Sequence, residues 1–255
     1  MSRKNILIAM ADDASHFGCY GHSFVKTPHI DTLAEEGVRQ TDAMLRTLLD
    51  AVRETGDFER TNFVITSDHG QIDVDRAVRV NVLLREHGYI RTDASGKVTD
   101  WDAWCFSAGT SAQLRLRDES LRGEIEALLR ERLAQGDAGY GAVYTAEELA
   151  AREHIRGSFS FMLETDGHTK FSSGWDGSYL KALPAAVGSH GYHPDHGPSP
   201  TFLGFGPAFR KGVVLEQAML TDGAPTYARI LGTELPDADG RVLTELLVPR
   251  LSDPV

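Results

Sequence analysis

Three short segments hold residue types that could do metal chemistry. Asp12-Asp13 ends one apolar run and Asp68-His69 ends another. His190 lies within Ser189-His190-Gly191-Tyr192-His193-Pro194-Asp195-His196-Gly197. Carboxylate oxygens combined with an imidazole nitrogen suit Zn²⁺ or Mn²⁺, whereas an all-oxygen set favours Ca²⁺ or Mg²⁺. The expected cofactor is a divalent metal, with Zn or Mn favoured and Ca as the alternative. Asp12 and Asp13 are neighbours, so on a regular strand they point to opposite faces. Both reach one ion only where the strand gives way to a loop, and they fall at such a point. Plainer readings stand beside this one. An Asp-Asp pair often forms a turn or caps a helix, Asp68-His69-Gly70 can be a strand-to-loop turn, and His190, His193 and His196 can be loop histidines. Cys19 reads as a small packing residue, because no basic partner sits beside it in sequence.

The elements that must position these residues follow from periodicity. Residues 5–10 are apolar without period-2 gaps, which suits a strand buried on both faces of a parallel sheet. The strand ends at the two carboxylates, the edge where open α/β sheets hold ligands. Thr27-Pro28 reads as N-cap and N1 of a helix with Ile30, Leu33 and Ala34 as its stripe and Gly37 as its stop. Met44, Leu45, Leu48, Leu49 and Val52 predict a second helix over 42–54. Residues 62–66 form a second buried strand that delivers Asp68 and His69. A helix is predicted over 74–87, a strand over 113–117, and a long helix from the stripe Leu121, Ile125, Leu128, Leu129 and Leu133. Thr145 to Glu148 forms a capping box opening a short helix. Strands are predicted over 158–164 and 201–205, and the Gly-, His- and Pro-rich stretch 189–200 is a loop. Pro225 opens the last helix.

Strands alternating with helices predict an α/β fold with a mostly parallel central sheet and helices on both faces. At 255 residues, 41% apolar and 25% charged, the chain fits a single domain over 1–255. A net charge of -11 repels nucleic acid and anionic membrane, which argues against both as partners. An acidic protein that handles phosphate or sulfate esters needs local cations, and a bound metal supplies them. No window approaches the roughly 18 apolar residues of a membrane helix. Cys19 and Cys105 do not make a disulfide framework and read as free thiols in a reducing compartment, so the localisation expected is cytoplasmic.

The order of these motifs resembles the alkaline phosphatase superfamily. Residues 5–13, Gly18-Cys19-Tyr20-Gly21 and residues 26–38 look like the N-terminal signature of sulfatases, over about residues 1–40. The remainder, 41–255, resembles the type I phosphodiesterase and nucleotide pyrophosphatase group. Its marks are Thr66-Ser67-Asp68-His69-Gly70-Gln71, Ser189-His190-Gly191-Tyr192, Gly206-Pro207-Ala208-Phe209 and Ala224-Pro225-Thr226. Leu235-Pro236 and Asp239-Gly240-Arg241 follow. The resemblance implies an alkaline phosphatase-like but shortened fold. It implies that Asp12, Asp13, Asp68 and His69 ligate one ion and that His190 ligates a second. The metals would polarise a phosphoryl or sulfuryl oxygen during in-line displacement.

One departure bears on catalysis. Sulfatases carry a Cys/Ser-x-Pro-x-Arg segment after the Glu-Gly-Val signature, and the phosphodiesterase group has a Thr or Ser nucleophile there, then an Asp and His pair. Here Glu36-Gly37-Val38-Arg39-Gln40-Thr41 runs straight into Asp42-Ala43-Met44-Leu45. The catalytic residue is therefore unknown, and Thr41, the only hydroxyl at the junction, is the candidate. Asp166 and His168 are expected in a loop, with a substitute-ligand role as the alternative. A shortened core is expected to expose an apolar face and to favour a homo-oligomer. The function expected is hydrolysis of a small-molecule phosphate ester of the phosphodiesterase type. The alternatives are a sulfatase and a catalytically inactive metal-binding homologue.

Overall fold

The computed structural model describes residues 5–10 and 28–249, with side chains at 6–8 and 39–249. Cys19 and Thr27 lie outside the described residues. In chain order the elements are β1 (Asn5–Met10), α1 (Pro28–Glu54), β2 (Thr61–Thr66), β3 (Ile72–Val78), α2 (Val80–Glu86), β4 (Ile90–Thr92) and β5 (Val98–Trp101). Then come β6 (Ala103–Ala108), β7 (Ser111–Leu116), α3 (Arg122–Ala134), β8 (Ala142–Thr145) and α4 (Ala146–Arg152). The chain continues through β9 (Phe161–Glu164), β10 (Thr169–Phe171), β11 (Leu180–Ser189), β12 (Phe202–Phe205) and α5 (Gly223–Leu231). They form two compact units. The first holds the described residues up to Gly70 and from Ser199 onward, and the second holds Gln71–Pro198. The α/β class expected from the sequence is present. Its sheets are mixed, with parallel pairing among the described strands in β1/β2 and β10/β3. No described helix is long and apolar enough to cross a membrane.

In the first unit the sheet order is β1-β2-β12. β1 runs parallel to β2, from Asn5 opposite Thr61 to Met10 opposite Thr66. β12 lies antiparallel on the other side of β2, with Phe202 opposite Thr66. β2 is therefore the central strand, and its run of apolar and small polar residues is buried at every position but Ile65. Val64, Phe209, Ile230 and Leu247 make the buried cluster, with Ile6, Phe202 and Tyr227 packed against it. On β2 the Phe63 ring stacks on Phe205 at 4.8 Å and meets Phe58 at 5.0 Å. Fully burying such a side chain is worth about 1.5–3 kcal/mol. The two helices expected over 27–37 and 42–54 are one continuous helix, α1. Gly37 does not stop it, because an isolated interior glycine costs about 1 kcal/mol against alanine and is tolerated within a helix. None of residues 39–54 is buried.

The second unit corrects the helix expected over 74–87. Residues 72–78 are β3, and only 80–86 are helical. β3 is the middle strand of the sheet β10-β3-β11, and Val74 and Val78 are fully buried there. β-branched side chains fit a pleated buried surface better than a helix, so tertiary pairing outweighs the helical spacing. A four-stranded antiparallel sheet, β6-β7-β9-β8, forms the second layer. Leu84, Leu114, Ile125, Leu129, Phe161 and Leu163 fill its core. Asn81 is fully buried, and its amide donates to the carbonyls of Cys105 and Ser173 at 2.9 and 3.0 Å while accepting from the Cys105 N–H at 2.7 Å. Both amide donors and the amide oxygen are engaged, which fastens α2 to β6. The expected capping box is present, with the Thr145 hydroxyl accepting from Glu148 N–H at 3.1 Å and the Glu148 carboxylate accepting from Thr145 N–H at 2.7 Å.

Candidate metal centre

Asp68 and His69 leave the C-terminal end of β2, as the sequence predicts. That end is held firmly within the first unit. Ser67 is buried, its N–H donates to the Thr201 carbonyl at 3.1 Å, and the Thr201 N–H donates to the Ser67 hydroxyl at 2.9 Å. The pair therefore emerges from a fixed point beside β12. His69 Nε2 stands 3.4 Å from Asp68 Oδ2. The other ring nitrogen, Nδ1, lies 3.1 Å from the Gly70 carbonyl. A carbonyl only accepts, so Nδ1 is the donor in that bond, and Nε2 faces the carboxylate. Metal-bound histidines use this arrangement, in which the distal N–H is tied to an oxygen and the ligating nitrogen faces the ion.

The donor set fits a divalent cation as a half-site. One carboxylate oxygen and one imidazole nitrogen are brought together. Asp12 and Asp13, the other expected ligands, lie outside the described residues. Among the described residues no three His, Cys, Asp or Glu side chains form a group able to hold a metal ion.

His190 belongs to the second unit, immediately after β11. Its main chain is clamped. Thr110, fully buried, donates both its N–H and its hydroxyl to the His190 carbonyl, each at 2.7 Å. Two glycines permit that approach. A Cβ on Gly109 would meet the His190 carbonyl oxygen at 2.2 Å, and one on Gly191 would meet the Ala108 carbonyl oxygen at 2.2 Å. Both residues have left-handed backbone, with φ of 79° and 96°, which glycine adopts without steric cost.

The rest of the loop hangs on Glu164. This carboxylate is only 6% exposed. Its Oε1 accepts from the His193 N–H at 2.9 Å and from His196 Nδ1–H at 2.8 Å, and Oε2 accepts from the Tyr144 hydroxyl at 3.2 Å. Burial first, then the adjacent Glu164 charge, pushes the Tyr144 hydroxyl above the ordinary tyrosine value, so it stays a donor. Thr110 and Glu164 hold adjoining ends of β7 and β9, where Ser111 pairs with Glu164. Sequence reasoning passed over Gly109, Thr110 and Glu164. A single chain carries no signal that a strand-end glutamate turns inward, and the only local cue was the Gly109-Thr110 turn.

The remaining candidates lie elsewhere. Thr41 is exposed on α1. Asp166 and His168 sit in the turn between β9 and β10, as expected of a loop. Asp166 binds Arg76 at 3.0 Å and accepts from the His168 N–H at 3.0 Å. Cys105 is buried, and desolvation pushes its thiol up to about 12, which leaves it no nucleophilic character.

Comparison with known proteins bears on these residues. Residues 10–193 match the profile of the type I phosphodiesterase / nucleotide pyrophosphatase family. Human steryl-sulfatase is 35% identical over 104 residues, covering 34% of this chain and 18% of that protein. An N-acetylgalactosamine-6-O-sulfatase of Bacteroides thetaiotaomicron is 32% identical over 108 residues, covering 39% of this chain and 20% of that protein. Among solved structures, murine ectonucleotide pyrophosphatase / phosphodiesterase 5, inactive and in complex with AMP, superposes with a TM-score of 0.61 at 21% identity, covering 91% of this chain and 56% of that one. This chain thus spans about a fifth of the curated sulfatases' length and about half of the solved neighbour's.

Proposed function

The chain belongs to the type I phosphodiesterase / nucleotide pyrophosphatase family, and from that premise we propose that it is a metal-dependent hydrolase of small-molecule phosphoric esters. The observation that carries this reading is the Asp68–His69 pair, with Nε2 turned toward the carboxylate and Nδ1 tied to the Gly70 carbonyl. Asp12, Asp13, Asp68 and His69 would hold one divalent cation, Zn or Mn by donor type, and His190 would contribute to a second. A bound cation supplies positive charge that polarises a phosphoryl oxygen. The chain's own part is to orient. The Ser67–Thr201 clamp fixes where the pair leaves β2, and the Gly70 carbonyl accepts from His69 Nδ1.

The nucleophile stays open between Thr41 and a residue outside the described ones. The sulfatase identities favour sulfuric ester hydrolysis as the second reading. A metal-binding homologue without turnover is the third. The likeness of one solved chain to 91% of this one supports treating 1–255 as a single alkaline phosphatase-like domain. We also propose a homo-oligomer, since Met44 and Leu48 expose apolar surface on α1. Sedimentation velocity tests it, and a monomer at every concentration rejects it.

Elemental analysis of the purified chain should find bound divalent metal, and Asp68→Ala should lower its content. Unchanged metal in that variant removes the site. Turnover of an aryl phosphodiester above an aryl sulfate ranks the first reading over the second. No turnover of either, with metal retained, selects the third.

A further inference from the structure

We infer that the face of the β1-β2-β12 sheet opposite α5 is the docking surface for α1 of a second copy of this chain, given and received reciprocally. The inference rests on the homo-oligomer proposed above and names its interface.

Strand register sorts the apolar residues of this sheet into two faces. Leu7 and Phe205 both pair with Phe63, and Leu203 pairs with Ile65. Paired residues point to the same side, and successive residues alternate, so these side chains share one face. Ile6, Val64 and Phe202 alternate with them and lie on the other, where Tyr227 and Ile230 of α5 pack against them. The first face is incompletely covered. Phe58 meets Phe63 there, yet Leu203 is exposed and Leu7, Ile65 and Phe205 are only half-buried. A sheet of an α/β fold takes apolar cover on both faces. Among the described residues the first unit has two α-helices, α1 and α5. α5 serves the opposite face. α1 carries the stripe Met44, Leu45, Leu48, Leu49 and Val52, none of it buried and with Met44 and Leu48 exposed. One unit therefore presents an unburied helix stripe and a partly bare sheet face, the two surfaces that pack on one another in this class of fold. A single copy leaves both uncovered. A symmetric pair covers both at once, because each copy gives its α1 and receives the other's in two equal contacts.

The test is sedimentation velocity of the full chain over a concentration series, with circular dichroism as the check on folding. Leu203→Glu and Leu48→Glu each set a charge against apolar surface in the pair but leave it solvated in the single chain. Each should weaken self-association by about tenfold or more. Val214→Glu, at an exposed position outside both surfaces, should leave it unchanged. Chains carrying Leu48→Cys are then mixed with chains carrying Leu203→Cys and oxidised. A disulfide between positions 48 and 203, identified by mass spectrometry of the linked peptides, forms only across copies and is the expected product. Wild-type monomer at every concentration overturns the homo-oligomer and the docking surface with it. Unweakened association of folded Leu203→Glu or Leu48→Glu overturns the docking surface and leaves the homo-oligomer standing. So does an equal loss in Val214→Glu, or linkage of 48 to 48 in place of 48 to 203. If a glutamate variant does not fold, the cross-link decides alone.

Discussion

Leu114, Ile125, Leu129 and Leu163 of the second unit are fully buried, whereas in the first unit Met44 is 67% exposed, Leu203 53% and Leu48 45%. The two units come from one chain of ordinary composition, so the contrast lies in how completely each covers its apolar faces. The second layers antiparallel strands against α2 and α3 around one continuous cluster. Among the described residues, the first builds its cluster from four buried residues around a three-stranded sheet. Residues 39–54 of α1 carry an amphipathic stripe without one buried position. Among the described residues the larger buried cluster lies in the second unit, while the paired donors Asp68 and His69 stand on the first. The two candidate ligand segments are held differently in consequence. Asp68–His69 depends on the edge of a small sheet, and His190 on a buried carboxylate and a buried threonine.

This contrast can be broken most directly with paired leucine truncations. Leu114→Ala should destabilise the protein by about 2–5 kcal/mol, because it opens a cavity in a filled core. In the monomer, at concentrations below self-association, Leu48→Ala should stay within about 0.5 kcal/mol, as exposed positions do. Equal losses in urea unfolding would mean that α1 is covered after all. Asn81→Ala should cost about 1–3 kcal/mol, since it strands the Cys105 N–H and two carbonyls in the interior. Thr145→Ala removes one half of the capping box and should cost about 1 kcal/mol.

The smallest effect concerns pH. The Ser160 hydroxyl, then Arg122, hold the Glu119 carboxyl below its ordinary value. A depressed folded value means the contribution is present above the unfolded value and is lost as pH falls through the folded one. Ser160→Ala should flatten that acid-side loss, measured as urea midpoints across the acidic range. A profile identical to wild type would show that the bond adds nothing in solution. Separately, Cys105 should resist thiol labelling in the native protein and react once unfolded, read by mass spectrometry of its peptide. Native labelling would place it outside the closed core of the second unit.

Much of this was legible in the residues themselves. The gapless apolar run of β1, the strand ending at Asp68–His69, the stripe of α3 and the Thr145 capping box all rest on local rules of period and capping, which hold whatever surrounds them. The pattern over 74–87 misled, because Val74 and Val78 satisfy helical spacing and strand burial equally well. The strands β4, β5, β8 and β10, of three or four residues each, were too short to show a period. Of the candidate site, residue types and strand-end placement were readable, and with them the class of chemistry.

Amino-acid order alone determined that carboxylate and imidazole donors would cluster at strand termini in an acidic α/β chain. Only the tertiary structure decided which way Nε2 of His69 faces, that β3 is a strand, and that Glu164 turns inward beneath the His190 loop. The last of these depends on partners distant in sequence, such as Thr110 for His190 and Tyr144 for Glu164. No local spacing encodes a hydrogen bond between residues that only the tertiary fold brings together.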